Sequence, residues 1–394
     1  MMSAIPAQER PPFWRDERVM AWIWQALVLL VVLGLAALLF SNMVTELQTQ
    51  RNVVFSYRWI GQVAGFDISE SLIPYDSSAT YGRAIVVGIL NTLQVALAAI
   101  VFSTGMGLFW GIVSISPNYL AKRIAVIYVE VFRNVPLLVL LYFWYSGLFL
   151  QLPRLADAIE LPGPTFLSIR GLYIPWGIPT DSWNTYLLVL LLGLVCWVGA
   201  VIYLRHRESR TGQTYFKTLW GLAAFLLIAI LGWIGLPAPL TLSQPVKEGL
   251  RIVGGNSYSP EFISVVTALS VYASAYVAEI VRGGILAIHH GQQEASSALG
   301  LTRLQSLRLV ILPQAMRVIV PPLISEYLSL TKSTSLAVAI GYPDFFHTTA
   351  KTTLNQTGRE VEVFLLVMLV YLSLSLVTSV VLNWYNSYFQ IKER

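Results

Sequence analysis

The chain has 394 residues, 26 Lys plus Arg against 21 Asp plus Glu, and 12% charged residues, where an ordinary soluble domain carries about 25%. With 56% hydrophobic residues and uncharged runs over Val19 to Thr45, Ala84 to Ala121, Ser182 to Leu204, Thr218 to Val246 and Val363 to Ile391, each longer than the roughly 20 residues that cross a bilayer's hydrocarbon, a soluble fold is excluded. The net charge of +5 does not point to nucleic acid, because the positive residues lie mostly in short loops.

In chain order, hydropathy predicts eight helices, over about 20–42, 84–114, 124–150, 184–204, 218–236, 260–281, 314–334 and 362–387. The ten-residue alternation of barrel strands is missing, so the backbone satisfies itself as helices, and the predicted fold is an all-α polytopic membrane protein. The first run exceeds a signal peptide's apolar segment and reads as a retained span. The third carries Glu130, Arg133 and Pro136, the sixth ends in Glu279 and Arg282, and the seventh holds Arg317, Pro321, Pro322 and Glu326; charge and proline inside a span mark these three as functional. Arg133 and Arg317 read as interface anchors or as partners of acids such as Glu130 and Glu279. Gly107-x-x-x-Gly111 reads as a close helix contact.

With eight spans both termini share a side. Segments 1–19, 115–123, 205–217, 282–308 and 388–394 hold 14 Lys plus Arg, against 9 in the longer set 43–83, 151–183, 237–259 and 335–361. The positive-inside tendency therefore places both termini and the loop from Arg282 to Arg308 in the cytoplasm. The stretch 151–259, rich in Pro, Gly and Trp with two plain hydrophobic helices, reads as an insertion between a first core part, 84–150, and a second, 260–387. Residues 1–83 supply a tail, a span and an outer loop, and 388–394 a cytoplasmic tail.

The densest polar pattern between spans runs from Glu279 to Pro313. Helix formers Gln292 to Leu299 followed by Gly300 predict a short amphipathic helix with glycine at its C-cap. Such a helix presents Leu299 and Leu301 to a partner's groove, with Glu294 in polar contact; the plainer alternative is an ordinary helix lying on the membrane surface. Farther on, Glu326, Lys332, Ser333, Thr334 and Ser335 bring acceptors and donors to bilayer depth, as a zwitterion's path requires. The alternative there is that Lys332 snorkels and the hydroxyls bond backbone carbonyls. Glu326 and Lys332 are six apart, not a neighbouring spacing on an unbroken helix. Cys196 is the single cysteine, excluding an intramolecular disulfide and a multi-cysteine metal site. No metal-ligand spacing occurs among the four His, and no phosphate-binding glycine loop precedes Lys332-Ser333, so no metal, cofactor or nucleotide is expected on this chain.

Glu294-Ala295-Ser296, Gly300 six residues after Glu294, and Val310-Ile311-Leu312-Pro313 resemble the EAA loop of ABC-importer permease subunits: E-A-A, three residues, G, nine residues, I, one residue, L-P. Ser296 replaces the second Ala, a small-for-small change. Tyr276 to Ile285, Gln314-Ala315-Met316-Arg317, Lys332 to Leu336 and Glu130 to Pro136 resemble the polar amino-acid branch, which usually has Gly-Thr where Asn134 and Val135 stand. The extra first span and the insertion resemble the larger permease subunit of general L-amino-acid importers. The resemblance implies a type I importer permease core in a bacterial inner membrane, taking up L-amino acids by ATP-driven alternating access. It also implies a cytoplasmic ABC ATPase docked at 282–313, a second permease subunit that makes a heterodimer, and a periplasmic amino-acid-binding protein. Glu294, Ala295, Ser296, Leu299, Gly300, Leu301 and Pro313 are then the coupling residues. The rivals are an ion-coupled secondary transporter, whose matching halves the insertion would spoil, and a membrane-embedded enzyme, for which no nucleophile-base or Gly-x-Ser-x-Gly grouping occurs.

Overall fold

A computed structural model of the chain describes residues 17–51, 55–212, 216–249 and 251–389; residues 1–16 and 390–394, which entered the charge comparison, lie outside them. Among the described residues the helices are α1 (Glu17–Arg51), α2 (Tyr81–Ser114), α3 (Tyr119–Asn134), α4 (Leu137–Tyr142), α5 (Trp183–Thr211), α6 (Lys217–Gly235), α7 (Pro260–Leu286), α8 (His290–Ala298), α9 (Arg303–Ser306), α10 (Leu312–Ser333), α11 (Leu354–Thr357) and α12 (Glu360–Phe389). Among the described residues seven helical stretches are long and apolar enough to cross a membrane, and a bent pair, α3 with Leu137–Gln151, makes eight. The number agrees with hydropathy, and the fold is that of a helical multi-pass membrane protein.

The third span is not the single rod expected over 124–150. Its two halves meet at 102°, because Pro136 lacks an N–H and Val135 before it is held extended (φ −86°, ψ 127°). The seventh reaches farther than expected, from Leu304 to Ile340, through a π turn before α10 and a 3₁₀ turn after it. Pro321 and Pro322 are carried inside α10.

The stretch 151–259 holds α5 and α6 as expected, and its described residues also form eight short strands: β1 (Ile159–Leu161), β2 (Thr165–Ser168), β3 (Gly171–Ile174), β4 (Trp176–Pro179), β5 (Leu240–Ser243), β6 (Val246–Glu248), β7 (Arg251–Val253) and β8 (Asn256–Tyr258). They form an antiparallel sheet in the order β1-β2-β3-β8 and two pairs, β4-β5 and β6-β7. The β4-β5 pair, with Trp176 opposite Ser243, closes the α5–α6 hairpin at one end. Gly171, at φ +116°, lies so close to Tyr258 that any Cβ would overlap its carbonyl oxygen, so the β3-β8 pairing requires glycine there. These strands, with the segment 55–80 before α2 and the loop 341–359 before α12, gather at one end of the bundle, the strand end; α8 and α9 lie at the other.

The centre of the bundle is α7, whose most apolar window is 67% buried against 6% for α5, α6 and α12. Ser259 caps α7, its side chain accepting from the Phe262 N–H at 3.0 Å, with Pro260 in the first turn. Thr80 and Asn118 cap α2 and α3 in the same way. α7 runs alongside α2 at glycine distance: a Cβ on Gly107 would lie 2.5 Å from Val277, and one on Gly111 2.9 Å from Val281. The backbones approach closely because lipid offers no hydrophobic drive between helices and van der Waals fit must supply it. At the strand end Asn91 Nδ2 donates to the Glu70 and Pro343 carbonyls at 2.8 and 2.9 Å, and the Phe345 N–H donates to Thr92 Oγ1 at 3.0 Å, fastening the 341–346 loop to α2.

Candidate coupling helix and polar track

The polar loop between α7 and α10 folds as a capped helix in a turn. His289 Nδ1 accepts from the Gly291 N–H at 3.1 Å at the start of α8. At its end Leu301 N–H donates to Ser296 O (3.1 Å) and Gly300 N–H to Ser297 O (2.9 Å), with Gly300 at φ +75°. These two bonds make a Schellman C-terminus, for which glycine is the favoured residue. α9 opens on a reciprocal cap, Thr302 N–H to Gln305 Oε1 at 2.9 Å and Gln305 N–H to Thr302 Oγ1 at 3.4 Å, the Thr-x-x-Gln signature that marks a helix start in sequence. Ser296 and Ser306 share a 2.5 Å hydroxyl bond, and Gln314 Nε2 donates to Gln292 Oε1 at 3.2 Å, so α8 is tied to the entry of α10.

This arrangement turns Glu294, Ala295, Ala298 and Leu299 outward and Ser296 inward. Leu299 is 81% exposed. Leu301, expected beside it on the presented face, instead lines a cleft of about 500 Å³ with Ile112, Ile285 and Ile311, because the Schellman turn reverses the chain between the two leucines. Pro313 lies exposed in the first turn of α10. Glu294 pairs with His290 at 3.1 Å, both largely exposed, a contact worth little in water.

On α10, Glu326 is half-buried, with Tyr272 of α7 and Tyr327 in electrostatic reach. Tyr327 OH bonds Thr104 Oγ1 of α2 at 2.6 Å, and Tyr272 OH bonds Tyr276 OH at 3.1 Å. Over the Tyr276 ring, 5.3 Å from its centre, sits the Arg133 guanidinium. Glu279 is held by Arg282, through Oε2 at 2.9 Å and Oε1 at 2.5 Å; Arg133, expected among the partners of such acids, stacks on Tyr276 and also lies in electrostatic reach of Glu279. Tyr272, Tyr276 and Glu279 are spaced four and three apart, so they form one stripe along α7. The result is a polar track from Glu326 toward the α8 end. Sequence reasoning missed its tyrosines, although polar aromatics at helical spacing inside a span were a visible signal.

The other path candidates are placed differently. Ser333 Oγ donates to Ser329 O (3.0 Å), Thr334 Oγ1 to Thr331 O (2.9 Å) and Ser335 Oγ to Lys332 O (2.8 Å), and Thr334 is fully buried. Their protons are used by the backbone, as the plainer alternative expects. Lys332 is exposed in the last turn of α10, which continues unbroken from Glu326, so the two charges lie about 9 Å apart along the axis and are not brought together.

A bundle of lipid-facing helices around broken and glycine-packed ones, with a polar track inside and a tethered loop helix at one end, defines a multi-pass membrane transport component. Residues 207–390 match the family described as binding-protein-dependent transport system inner membrane component. YhdX of Escherichia coli (strain K12) is 41% identical, the match covering 95% of each chain. The general L-amino acid transport system permease protein AapQ of Rhizobium johnstonii is 38% identical over 96% of this chain and 94% of its own. The glutamate/glutamine/aspartate/asparagine transport system permease protein BztB of Rhodobacter capsulatus is 35% identical over 96% of both. The chain belongs to this family of transport-system permeases.

Proposed function

We propose that this chain is a membrane-spanning permease subunit of an ATP-driven importer of L-amino acids in a bacterial inner membrane, with ATP hydrolysed by a separate ABC subunit. The names of AapQ and BztB support the substrate class, and neither is named as an ion-coupled carrier. The strand end faces the periplasm and its amino-acid-binding protein; the α8 end and both termini face the cytoplasm and the ATPase. Segments 84–150 and 260–387 form the core that pairs with a second permease subunit, and 151–259 is inserted between them.

The observation that carries this reading is α8 itself: an exposed face of small residues and Leu299, on a helix bonded to α10 and three residues from the end of α7. A soluble partner that grips this face moves both spans at once. Because α7 is glycine-packed on α2, those two helices move as a unit, and tilting them relative to α10 opens or closes the track at Glu326. Glu326 then offers a carboxylate to the substrate's ammonium at bilayer depth. Co-purification in detergent tests the assembly: an ABC ATPase and a second permease are expected with the wild-type chain, with attachment or coupling lost on replacing Gly300 or Glu294. Unchanged uptake and ATPase retention in both variants, or labelling of a cysteine at position 298 from outside intact cells, overturns the reading.

A further inference from the structure

Between Tyr276 and the α8 end, α3, α7 and the end of α2 line an open cavity of about 470 Å³, within the size range of small-molecule sites, about 300–1,000 Å³. Its charged lining is Lys122, Glu130 and Arg133 from α3 and Glu279 and Arg282 from α7, with Ser114 at the end of α2 as a further polar group. On α3 the spacing of eight and then three places Lys122, Glu130 and Arg133 on one side of the helix. Glu279 and Arg282 satisfy each other. Arg133 stacks on Tyr276 and lies in electrostatic reach of Glu279, whereas Lys122 and Glu130 make no ion pair among the described residues. Lys122, Glu130 and Arg133 are exposed, so their charges are open to water or to a ligand that enters the cleft. Two cations and one anion suit a carboxylate and an ammonium on one small molecule, whereas an inorganic phosphate, with no ammonium to offer, would confront the carboxylates of Glu130 and Glu279. The cavity begins where the track from Glu326 ends, at the Arg133–Tyr276 stack.

We propose that this cavity is a second amino-acid site on the release side of the path, taking the α-carboxylate at Lys122 and Arg133 and the ammonium at Glu130. It rests on the orientation and importer reading above. Occupied from the cytoplasm, it holds the exit and slows further uptake.

The test uses the complete transporter in proteoliposomes, with uptake of labelled L-glutamine, L-glutamate and L-arginine measured in turn, into empty vesicles and into vesicles preloaded with the same unlabelled amino acid. Preloading is expected to slow wild-type uptake by about fivefold or more, the usual lower range for coupling between two sites. The slowing is expected to fall below about twofold in Lys122→Gln and in Glu130→Gln, each referred to its own empty-vesicle rate, and to return in Lys122→Arg. Equal slowing in all variants, no slowing in the wild type, or slowing by internal inorganic phosphate alone overturns the site while leaving the importer reading in place. Absence of uptake of all three amino acids into empty wild-type vesicles takes down the importer reading and the site with it.

Discussion

Ser296 and Ser306 meet through their hydroxyls at 2.5 Å inside the turn that joins α8 to α9, and Ser296 is 2% exposed. Ser296 Oγ also lies 2.8 Å from Gln293 O, which accepts its only proton, so Ser306 is the donor in the shared bond. The position where the EAA loop usually has a second alanine thus carries a hydroxyl that clamps the candidate coupling helix to the next one.

That assignment makes the two serines unequal. Ser296→Ala strands the buried Ser306 hydroxyl and is expected to cost about 1–3 kcal/mol. Ser306→Ala, which leaves Ser296 its bond to Gln293, is expected to cost about 1 kcal/mol or less. In a double-mutant cycle on the thermal stability of the assembled transporter, additive effects would show that the clamp does not exist.

Gly300 stands at φ +75° with open space around it, so a substitution there fails through the backbone and not through collision. Gly300→Ala is expected to cost about 1–2 kcal/mol of loop stability, and Gly300→Asn less. ATP consumed per amino acid imported should rise in the same order, Gly, Asn, Ala. Alanine equal to glycine in this ratio would remove the Schellman turn from the coupling argument.

Gly107 is the tighter half of the α2–α7 contact, where a Cβ would sit 2.5 Å from Val277. Gly107→Ala is expected to destabilise by about 1–3 kcal/mol through overpacking, with part regained when Val277→Ala is added. The check is detergent-resistant thermal stability of the single and double variants.

Glu326→Gln keeps shape and removes charge. If the carboxylate meets the substrate's ammonium, KM for uptake is expected to rise about tenfold, which is about 1.4 kcal/mol. Tyr327→Phe, which removes only the bond to Thr104, should change KM much less. Unaltered uptake kinetics in Glu326→Gln would exclude it as a path residue.

Asp344 lies fully buried in the loop at the strand end; its Oδ1 accepts from the His347 N–H at 2.8 Å, and its Oδ2 has no partner among the described residues. Burial pushes its carboxyl up to about 7, above its unfolded value, with Tyr342 and Tyr371 in electrostatic reach of it and Glu70 in reach of Tyr342. The folded chain therefore holds this proton more tightly than the unfolded one. Stability from the protonated form is complete below about pH 4 and is lost as pH rises to about 7. Melting temperature should fall across that window in the wild type, and the fall should shrink in Asp344→Asn.

Composition and run length told which segments enter the membrane and how many, because hydrocarbon admits only self-satisfied helices of a given length. The spacing from Gln292 to Gly300 told where a short helix would end, since a helix stop at glycine is a local matter of φ. Neither disclosed the strands β1 to β8: three or four residues are too few for an alternation to register, and each is held by a partner such as Tyr258 opposite Leu172 that sequence does not name. Pro136 was visible as a break, but its 102° angle depends on what the two halves pack against. Ser296 lay in view as a small residue, and only its neighbour ten positions on showed it to be a clamp. Tyr272, Tyr276, Tyr327, Thr104 and Arg133 come from four helices, so their track exists only once the helices are assembled. Local propensity and the cost of an unpaired backbone act along the chain and can be read from it, whereas the meeting of side chains from different helices is decided by shape, and shape belongs to the packed bundle.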